Sequence, residues 1–230
     1  MTNPVKNVAA GAAGGASIRP GMENFLAADL YGLTAEEYSL GRSNVEIVRL
    51  MIEAGIKVIQ YRQKNKPARR MFEECRLIRQ DTRAAGVTFI VNDYVDLALA
   101  VAADGVHIGQ DDLPPEEVRK LVGDKMIIGL STHSPAQAEA AARQGVADYI
   151  GVGPIFATNT KSDVCAPVGL EYLDYVVKNI ALPFVAIGGI KEHNIRQVRE
   201  HGAKTIALVT DIVGAADIAA KVKALRAQLA

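Results

Sequence analysis

Two aspartates carry the clearest signal for chemistry in this chain. Asp93 follows the apolar segment Thr88–Val91, and Asp112 follows the apolar segment Gly105–Ile108. If these segments are neighbouring parallel strands, their carboxyl ends meet and the two side chains can share a hard cation such as Mg²⁺, which takes a few carboxylates together with phosphate oxygens. Two alternatives stay open. Asp93 could merely cap the following helix, and spacing does not separate Asp112 from Asp111.

Three polar side chains alternate at the end of an earlier apolar segment. Gln60, Arg62 and Lys64 are spaced two residues apart, so in a strand they point to the same face. Inward-facing cations are costly unless an anion pairs with them, and a phosphate or pyrophosphate suits the planar fork of Arg and the point charge of Lys. The alternative is a solvated loop, because three more cations follow within the next six residues.

Glycine and hydroxyl residues mark a second group of candidate anion sites. Gly188-Gly189 and Val209-Thr210 each end an apolar segment late in the chain, where backbone N–H groups of α/β barrels commonly hold phosphate. The run Thr158-Asn159-Thr160-Lys161 lies in a long loop and offers two hydroxyls, an amide and a cation. This composition suits another phosphate clamp or a mobile lid.

Ser131 and two histidines are weaker candidates for chemistry. Ser131 lacks the sequence surroundings of a hydrolase nucleophile, so we predict that it forms hydrogen bonds instead of attacking a substrate. His107 lies inside an apolar segment and is predicted to be an interior histidine with its hydrogen bonds satisfied. His133 is predicted to be a loop residue without an essential proton transfer.

Eight short apolar segments, separated by helical ones, must position these residues. The predicted strands are Asp29–Leu33, Lys57–Tyr61, Thr88–Val91, Gly105–Ile108, Met126–Leu130, Asp148–Val152, Phe184–Ile187 and Thr205–Val209. The predicted helices are Val45–Ala54, Ala68–Ala85, Tyr94–Ala102, Pro114–Val122, Ser134–Gln144, Leu170–Asn179, Glu192–His201 and Ala215–Leu229. This alternation predicts an α/β fold, a single-domain (β/α)8 TIM barrel. A doubly wound open sheet is the alternative, although it rarely needs eight even repeats.

The first residues stand apart from this pattern. Residues 1–22 include a run of Ala and Gly with no helical period and no apolar core long enough for a secretory signal, and they are predicted to form a flexible leader. A first helix beginning near Met22 is a further option. Residues 23–230 are predicted to form the catalytic barrel.

Composition excludes several classes of protein. The 26 basic and 26 acidic residues balance, and no basic stripe is interleaved with aromatic residues, so no nucleic-acid partner is expected. The longest apolar stretch is far too short for a membrane span, and no membrane partner is expected. Two cysteines are too few for a disulfide framework or a metal cluster. We expect a cytoplasmic enzyme with small-molecule substrates. The sequence leaves its oligomeric state open, and a homo-oligomer is one of the states that it allows.

Several motifs together resemble the thiamine phosphate synthase family. The resemblance runs in order over roughly residues 28–228. The motifs are Gln60-Tyr61-Arg62-Gln63-Lys64, Val91-Asn92-Asp93, Val106-His107-Ile108-Gly109-Gln110-Asp111-Asp112-Leu113-Pro114, Ser131-Thr132-His133-Ser134, Tyr149-Ile150-Gly151-Val152-Gly153-Pro154-Ile155-Phe156, Thr158-Asn159-Thr160-Lys161 and Ala186-Ile187-Gly188-Gly189-Ile190. The chain departs from the family pattern at two positions. Ala35 follows Thr34 where the family often has Asp, and Tyr94 follows Asp93 where Arg is common.

The resemblance implies an activity and a set of roles. It implies a transferase that joins a hydroxymethylpyrimidine diphosphate to a thiazole phosphate, releases pyrophosphate and binds one Mg²⁺ per subunit through Asp93 and Asp112. Contacts to the pyrimidine diphosphate are implied for Gln60, Tyr61, Arg62, Gln63, Lys64, Asn92, Ser131 and Lys161. Contacts to the thiazole phosphate are implied for Thr158, Asn159, Thr160, Gly189, Val209 and Thr210. Direct catalytic roles are implied for Arg62, Lys64, Ser131 and Lys161.

Three rival functions remain to be separated by experiment. A thiazole tautomerase would share the barrel and the thiazole-phosphate site, but it would not need the joint set of Arg62, Lys64, Asp93, Asp112 and Lys161. A sugar-phosphate epimerase or tryptophan-pathway barrel would need a catalytic acid–base pair, which the sequence does not place. A non-catalytic sensor of thiazole phosphate or thiamine phosphate would bind its ligands and release nothing.

Overall fold

The computed structural model describes residues 18–158, 160 and 165–230. Eight parallel strands pair in sequence order, and β8 closes on β1, so the predicted (β/α)8 barrel is confirmed. The strands are β1 Leu30–Leu33, β2 Val58–Tyr61, β3 Thr88–Asn92, β4 Gly105–Ile108, β5 Ile127–Thr132, β6 Tyr149–Val152, β7 Phe184–Ala186 and β8 Thr205–Leu208.

Helices pack on the outer face of the barrel and across its amino-terminal end. They are α1 Met22–Ala27, α2 Asn44–Glu53, α3 Ala68–Ala84, α4 Val95–Ala100, α5 Pro115–Val122, α6 Pro135–Gln144, α7 Gly169–Asn179, α8 Ile195–Glu200, α9 Thr210–Val213 and α10 Ile218–Leu229, with a 3-10 turn at Glu36–Tyr38. The Ser134 side chain caps the start of α6, because it accepts from the Gln137 N–H. In the described part of the chain, no helix is long and apolar enough to cross a membrane.

Several boundaries differ from the prediction. Val209, predicted to end β8, instead precedes the separate four-residue helix α9, which the sequence pattern did not indicate. Helix α8 begins at Ile195, three residues later than predicted, because the side chain of Asn194 accepts from the Lys191 N–H and forms a turn there. Both differences lie in loops at the carboxyl ends of strands, where short polar turns replace apolar periodicity.

Two apolar layers fill the molecule. The larger one lies between the barrel and its helices, and the smaller one fills the barrel lumen. Helix α1 closes the amino-terminal end of the lumen with Met22 and Phe25, and the Phe25 ring lies with its centroid 4.3 Å from that of Tyr149. Residues 18–22 of the predicted leader are described, and Arg19 pairs with Asp148 at the same end of the barrel. Residues 1–17 lie outside the described residues.

Aspartates at the amino-terminal ends of strands fix the frame on that side. Asp104 accepts two hydrogen bonds from the Arg79 guanidinium, at 2.8 and 2.9 Å, and one from the Phe89 N–H. Asp148 in the same way accepts from Arg119 at 2.7 Å and from a backbone N–H of β5. These bidentate and backbone bonds tie helix, strand and turn together. The candidate site residues lie at the opposite end, where the strands have their carboxyl termini.

Candidate active site

A cavity of about 860 Å³ opens at the carboxyl ends of the strands. All eight strand ends or the loops that follow them contribute to its lining, as the barrel architecture predicts. Twelve of the predicted site residues line it: Gln60, Arg62, Lys64, Asn92, Asp93, Asp112, Ser131, Thr158, Thr160, Gly189, Val209 and Thr210. The structure therefore brings together residues that are up to 150 positions apart in the chain.

Tyr61 and Gln63 do not reach this cavity, which corrects their inclusion among the predicted substrate contacts. Alternation along β2 turns them toward the helices. The Tyr61 hydroxyl donates to Glu74 of α3 at 2.7 Å, and the Gln63 side chain accepts from Asn44 of α2 at 3.3 Å. Both are structural contacts between β2 and the helical layer. Asn159 and Lys161, also predicted site residues, lie outside the described residues.

Asp93 lies in a strained position at the centre of the cavity rim. Its φ of 63° is in the left-handed region, which few residues other than glycine adopt and which Asp tolerates better than most. Its backbone N–H donates to the His107 carbonyl at 2.8 Å, so the polypeptide holds this conformation by hydrogen bonding. Strain of this kind is typical of functional sites, where the surrounding structure over-determines one residue.

The electrostatic surroundings of Asp93 are those of a cation site. Burial raises the pKa of Asp93; a hydrogen bond from Lys64 opposes this rise, and the neighbouring charge of Asp112 adds to it. Lys64 Nζ forms an ion pair with Asp93. Asp112 is held by the Gly109 N–H, which donates to its carboxylate at 2.7 Å. Two neighbouring carboxylates, of which Asp93 is paired with a lysine, are a suitable donor pair for a divalent cation.

The residues present fit the Mg²⁺ that the resemblance implies. In the described part of the chain no group of three or more His, Cys, Asp or Glu side chains converges, and the two carboxylates that would hold the ion are Asp93 and Asp112. Mg²⁺ characteristically takes one or two carboxylates and completes its coordination with water and substrate phosphate. The contact between Asp112 and Asp93 separates Asp112 from Asp111, which spacing in the sequence did not.

Arg62 supplies a cation that is free to meet a ligand. Its guanidinium lines the cavity and makes no ion pair within residues 18–158, 160 and 165–230, whereas Lys66, two residues after Lys64, is held by Glu36 and Glu74. The backbone of Arg62 is fixed by Thr34, whose hydroxyl accepts from the Arg62 N–H at 2.9 Å. The alternative of a solvated loop thus applies to the residues after Lys64 and not to Arg62.

The glycine-rich side of the cavity faces this charged side. Gly188 and Gly189 have φ of 101° and 64°, and a Cβ on Gly189 would lie 2.6 Å from the carbonyl oxygen of Ala157. Only glycine fits that close approach. Thr210 lies beside them with its hydroxyl 3.5 Å from Lys191 Nζ, a cation in the cavity lining that the sequence patterns did not single out. A glycine turn in the lining, the Thr210 hydroxyl and the Lys191 ammonium make this side suitable for an anion.

A chain of five hydrogen-bonded side chains crosses the lumen beneath the cavity. This lumen chain runs from Gln60 Nε2 to Tyr31 Oη at 2.9 Å, to Tyr149 Oη at 3.0 Å, to His107 Nδ1 at 2.9 Å, and from His107 Nε2 to Ser131 Oγ at 2.9 Å. His107 is therefore the interior, hydrogen-bonded histidine that the sequence predicts. The sequence motifs did not single out Tyr31 and Tyr149 as members of the site. Their alternation with outward-facing neighbours in β1 and β6 is the sequence signal that places them in the lumen.

Gly129 provides the space for the lumen chain, which gives a first testable prediction. A Cβ on Gly129 would lie 2.3 Å from Tyr149 Cζ and 2.4 Å from His107 Nδ1. Gly129→Ala is therefore expected to destabilise the fold by about 1–3 kcal/mol through overpacking, measured by urea denaturation. Gly151→Ala in the adjacent strand is the matched control, because its nearest contact would be an ordinary 3.4 Å. Equal losses in the two variants would contradict the assignment.

His133 and Gln110 complete the wall next to Ser131. His133 lines the cavity with its ring nitrogen Nδ1 2.6 Å from the Gly153 carbonyl, so Nδ1 carries a proton and donates. Gln110 donates to the Ser131 carbonyl at 2.6 Å. Both residues belong to the motifs that carry the family resemblance, although the sequence predicts a site role for neither. The structure places both at the cavity and brings no acid–base partner to His133 among the described residues.

Known proteins resemble this chain over most of its length. The sequence model of the family described as thiamine monophosphate synthase matches residues 30–212. The thiamine-phosphate synthase of Pelotomaculum thermopropionicum is 75% identical over 209 residues, covering 91% of this chain and 95% of the relative. That of Lawsonia intracellularis is 54% identical over 211 residues, covering 92% and 96%.

A solved structure agrees with the sequence relatives. The thiamine phosphate pyrophosphorylase from Pyrococcus furiosus is 38% identical, superposes with a TM-score of 0.79, and is matched over 87% of this chain and 95% of its own. A 3-hexulose-6-phosphate synthase, 19% identical with a TM-score of 0.58, shares the fold alone. The agreement of fold, cavity and relatives gives one conclusion: the chain belongs to the thiamine monophosphate synthase family.

Proposed function

We propose that the protein is a thiamine-phosphate synthase. In this reaction 4-amino-5-hydroxymethyl-2-methylpyrimidine diphosphate and a thiazole phosphate are joined, and pyrophosphate is released. The observation that supports it most directly is a single cavity with two separate sides whose side chains suit anions. Arg62, Lys64 and the pair of carboxylates lie on one side, and the Gly188-Gly189 turn with Thr210 lies on the other. Two phosphorylated substrates need two such sides within reach of each other.

The charged side is assigned to the pyrimidine diphosphate. Asp93 and Asp112 would hold Mg²⁺, and the bound ion would neutralise charge on the diphosphate oxygens. Arg62 offers a planar fork to the same oxygens, and Lys64 offers a point charge once Asp93 is engaged elsewhere. Asn92 lines the cavity next to Asp93 and adds an amide. Lys161, which lies outside the described residues, is assigned here on the resemblance alone.

The proposed chemistry is dissociative. The bond between the pyrimidinyl-methyl carbon and the diphosphate oxygen breaks, and its electron pair leaves with pyrophosphate. The lone pair of the thiazole nitrogen then forms the new carbon–nitrogen bond. Because pyrophosphate gains negative charge as it departs, Arg62 and Lys64 stabilise the transition state more than the ground state. The substrate supplies the nucleophile, so the protein needs no activated Ser, Cys or Lys.

The experiment that tests this proposal is pyrophosphate release by the purified protein. We expect release only when both substrates and Mg²⁺ are present, with thiamine phosphate formed in equal amount. Omitting each component in turn is the control. Binding of thiazole phosphate without any release would contradict the proposal and favour the tautomerase or the sensor. Conversion of a thiazole isomer in the absence of the pyrimidine substrate would identify the tautomerase.

A further inference from the structure

The hydrogen bonds of the lumen chain all donate in one direction, and Gln60, the first donor, determines that direction. The amide nitrogen Nε2 of Gln60 can only donate, so Tyr31 Oη accepts from it. Tyr31 Oη must then give its own proton to its other neighbour, Tyr149 Oη. If Tyr149 donated to Tyr31 instead, the Tyr31 proton would have no acceptor in the described part of the chain, at a side chain that is only 1% exposed. A buried donor without an acceptor is unfavourable, so the first direction holds.

The same reasoning fixes the tautomer of His107. Burial raises the pKa of both Tyr31 and Tyr149, so each hydroxyl keeps its proton and passes on one hydrogen bond. Tyr149 accepts from Tyr31 and therefore donates to His107 Nδ1, which must be the unprotonated nitrogen. The proton of the neutral ring then lies on Nε2, and Nε2 donates to Ser131 Oγ.

We propose that Tyr31, Tyr149 and His107 are positioning residues that hold Ser131 as a hydrogen-bond donor to the pyrimidine diphosphate. Ser131 Oγ already accepts from His107, so the hydroxyl proton points to a partner other than the ring. Ser131 lines the cavity, and an acceptor atom of the bound substrate is the partner available there. The inference rests on the proposed function for the identity of the substrate.

The two ends of the lumen chain then present a fixed pattern to a ligand. At one end Gln60 Nε2 uses one of its two N–H groups on Tyr31, and its amide oxygen remains an acceptor. At the other end Ser131 offers a donor. A ligand with both a donor, such as an exocyclic amino group, and acceptor atoms matches this pattern, and an aminopyrimidine diphosphate has both. A ring without the amino donor would leave the Gln60 oxygen unmatched.

The first test reads the tautomer in the free protein, without substrate or turnover. The four histidines give separate ¹⁵N signals, and those of His107 are identified by their loss in His107→Gln. We expect the protonated-nitrogen shift at Nε2 and the unprotonated shift at Nδ1. A proton on Nδ1, or protons on both nitrogens near neutral pH, would overturn the proposal. This measurement on the unmodified chain stands whether or not any variant of the lumen chain folds.

The second test compares two variants that each lose a single hydroxyl. Tyr149→Phe removes the donor to Nδ1, so His107 is released to protonate Nδ1 and to accept the Ser131 proton instead. We expect a shift of the tautomer signals toward Nδ1–H and a fivefold to tenfold weaker binding of the pyrimidine diphosphate, about one hydrogen bond, measured by calorimetry with Mg²⁺ present. Affinity for thiazole phosphate is expected to stay unchanged.

Tyr172→Phe is the matched control. Tyr172 is also buried, and its hydroxyl donates to Thr132, the residue after Ser131, at 2.7 Å, but on the outer face of the barrel. We expect neither the His107 signals nor pyrimidine-diphosphate affinity to change. If the tautomer shifts in Tyr149→Phe while affinity does not, the link from His107 to the substrate is wrong.

The outcomes separate this inference from the proposed function. A protein that binds the pyrimidine diphosphate more weakly after Tyr149→Phe, yet forms no thiamine phosphate in its unmodified form, would support the lumen chain and overturn the synthase. A protein that forms thiamine phosphate while His107 is protonated on Nδ1 would support the synthase and overturn the proposed role of the lumen chain.

Discussion

Replacing Asp93 with asparagine is expected to lower kcat/KM by about 10²–10³-fold, the scale of losing one main electrostatic group of an active site. Asparagine keeps the size of the side chain and tolerates the left-handed φ of 63° at this position, so the backbone is preserved. It removes one of the two carboxylates that would hold Mg²⁺. The measurement is steady-state turnover over a range of Mg²⁺ concentrations, where the variant should need more metal.

The same substitution is expected to leave stability intact. The pKa of Asp93 is raised, by burial first and also by Asp112, with Lys64 opposing. The folded protein therefore binds a proton at Asp93 more tightly than the unfolded chain does, and the charged carboxylate costs stability as pH rises through the folded-state pKa. The neutral amide of Asp93→Asn would remove that cost, so the free energy of unfolding without Mg²⁺ should stay within about 1 kcal/mol of the original or rise.

Asp96→Asn provides the control for Asp93. Asp96 is an exposed carboxylate in the first turn of α4 and is not part of the cavity lining. Its replacement should leave both turnover and Mg²⁺ dependence unchanged. Normal activity in Asp93→Asn, or an equal loss in both variants, would contradict the metal assignment.

Phe25→Ala is expected to give the largest loss of stability, about 3–5 kcal/mol, as for other buried Phe→Ala changes. Phe25 is 2% exposed, and its ring packs on Tyr149 and, with a centroid distance of 6.2 Å, edge-on against Tyr31. Removing the ring opens a void between α1 and the lumen that the rigid barrel cannot close. Urea denaturation measures the free-energy loss, and a thermal scan should show Tm lower by roughly 10 °C.

Leu26→Ala is the matched control for Phe25→Ala. Leu26 is the next residue of the same helix but is 52% exposed, so its loss should cost less than about 1 kcal/mol. Similar losses in the two variants would mean that α1 contributes through helix formation and not through the Phe25 ring.

Parts of the fold and site followed from local pattern. Asp93, Asp112, Arg62 and Lys64 all line the cavity because each follows the end of a strand, and the parallel barrel gathers all strand ends at one rim. The same alternation turns Tyr61 toward the helices, where it contacts Glu74, although it belongs to the same motif as Gln60 and Arg62. Sequence patterns alone thus predicted the rim well when the period of the strand was applied strictly.

Other features depend on contacts that local pattern does not encode. Tyr31 and Tyr149 are 118 residues apart, and their hydrogen bond exists only because closure of the barrel brings β1 opposite β6. Helix α1 has six residues, too few to show an amphipathic period, and its role comes from the lumen that it closes. The helix α9 is shorter still. Long-range register and short helices need the assembled structure.

Helix α1 closes one end of the lumen and thereby determines how a ligand reaches the cavity. In the described structure Met22 and Phe25 occupy the amino-terminal end, so the cavity is a blind chamber with its mouth at the carboxyl ends of the strands. Any ligand must therefore enter and leave through that one mouth, because the described residues close the amino-terminal end of the lumen.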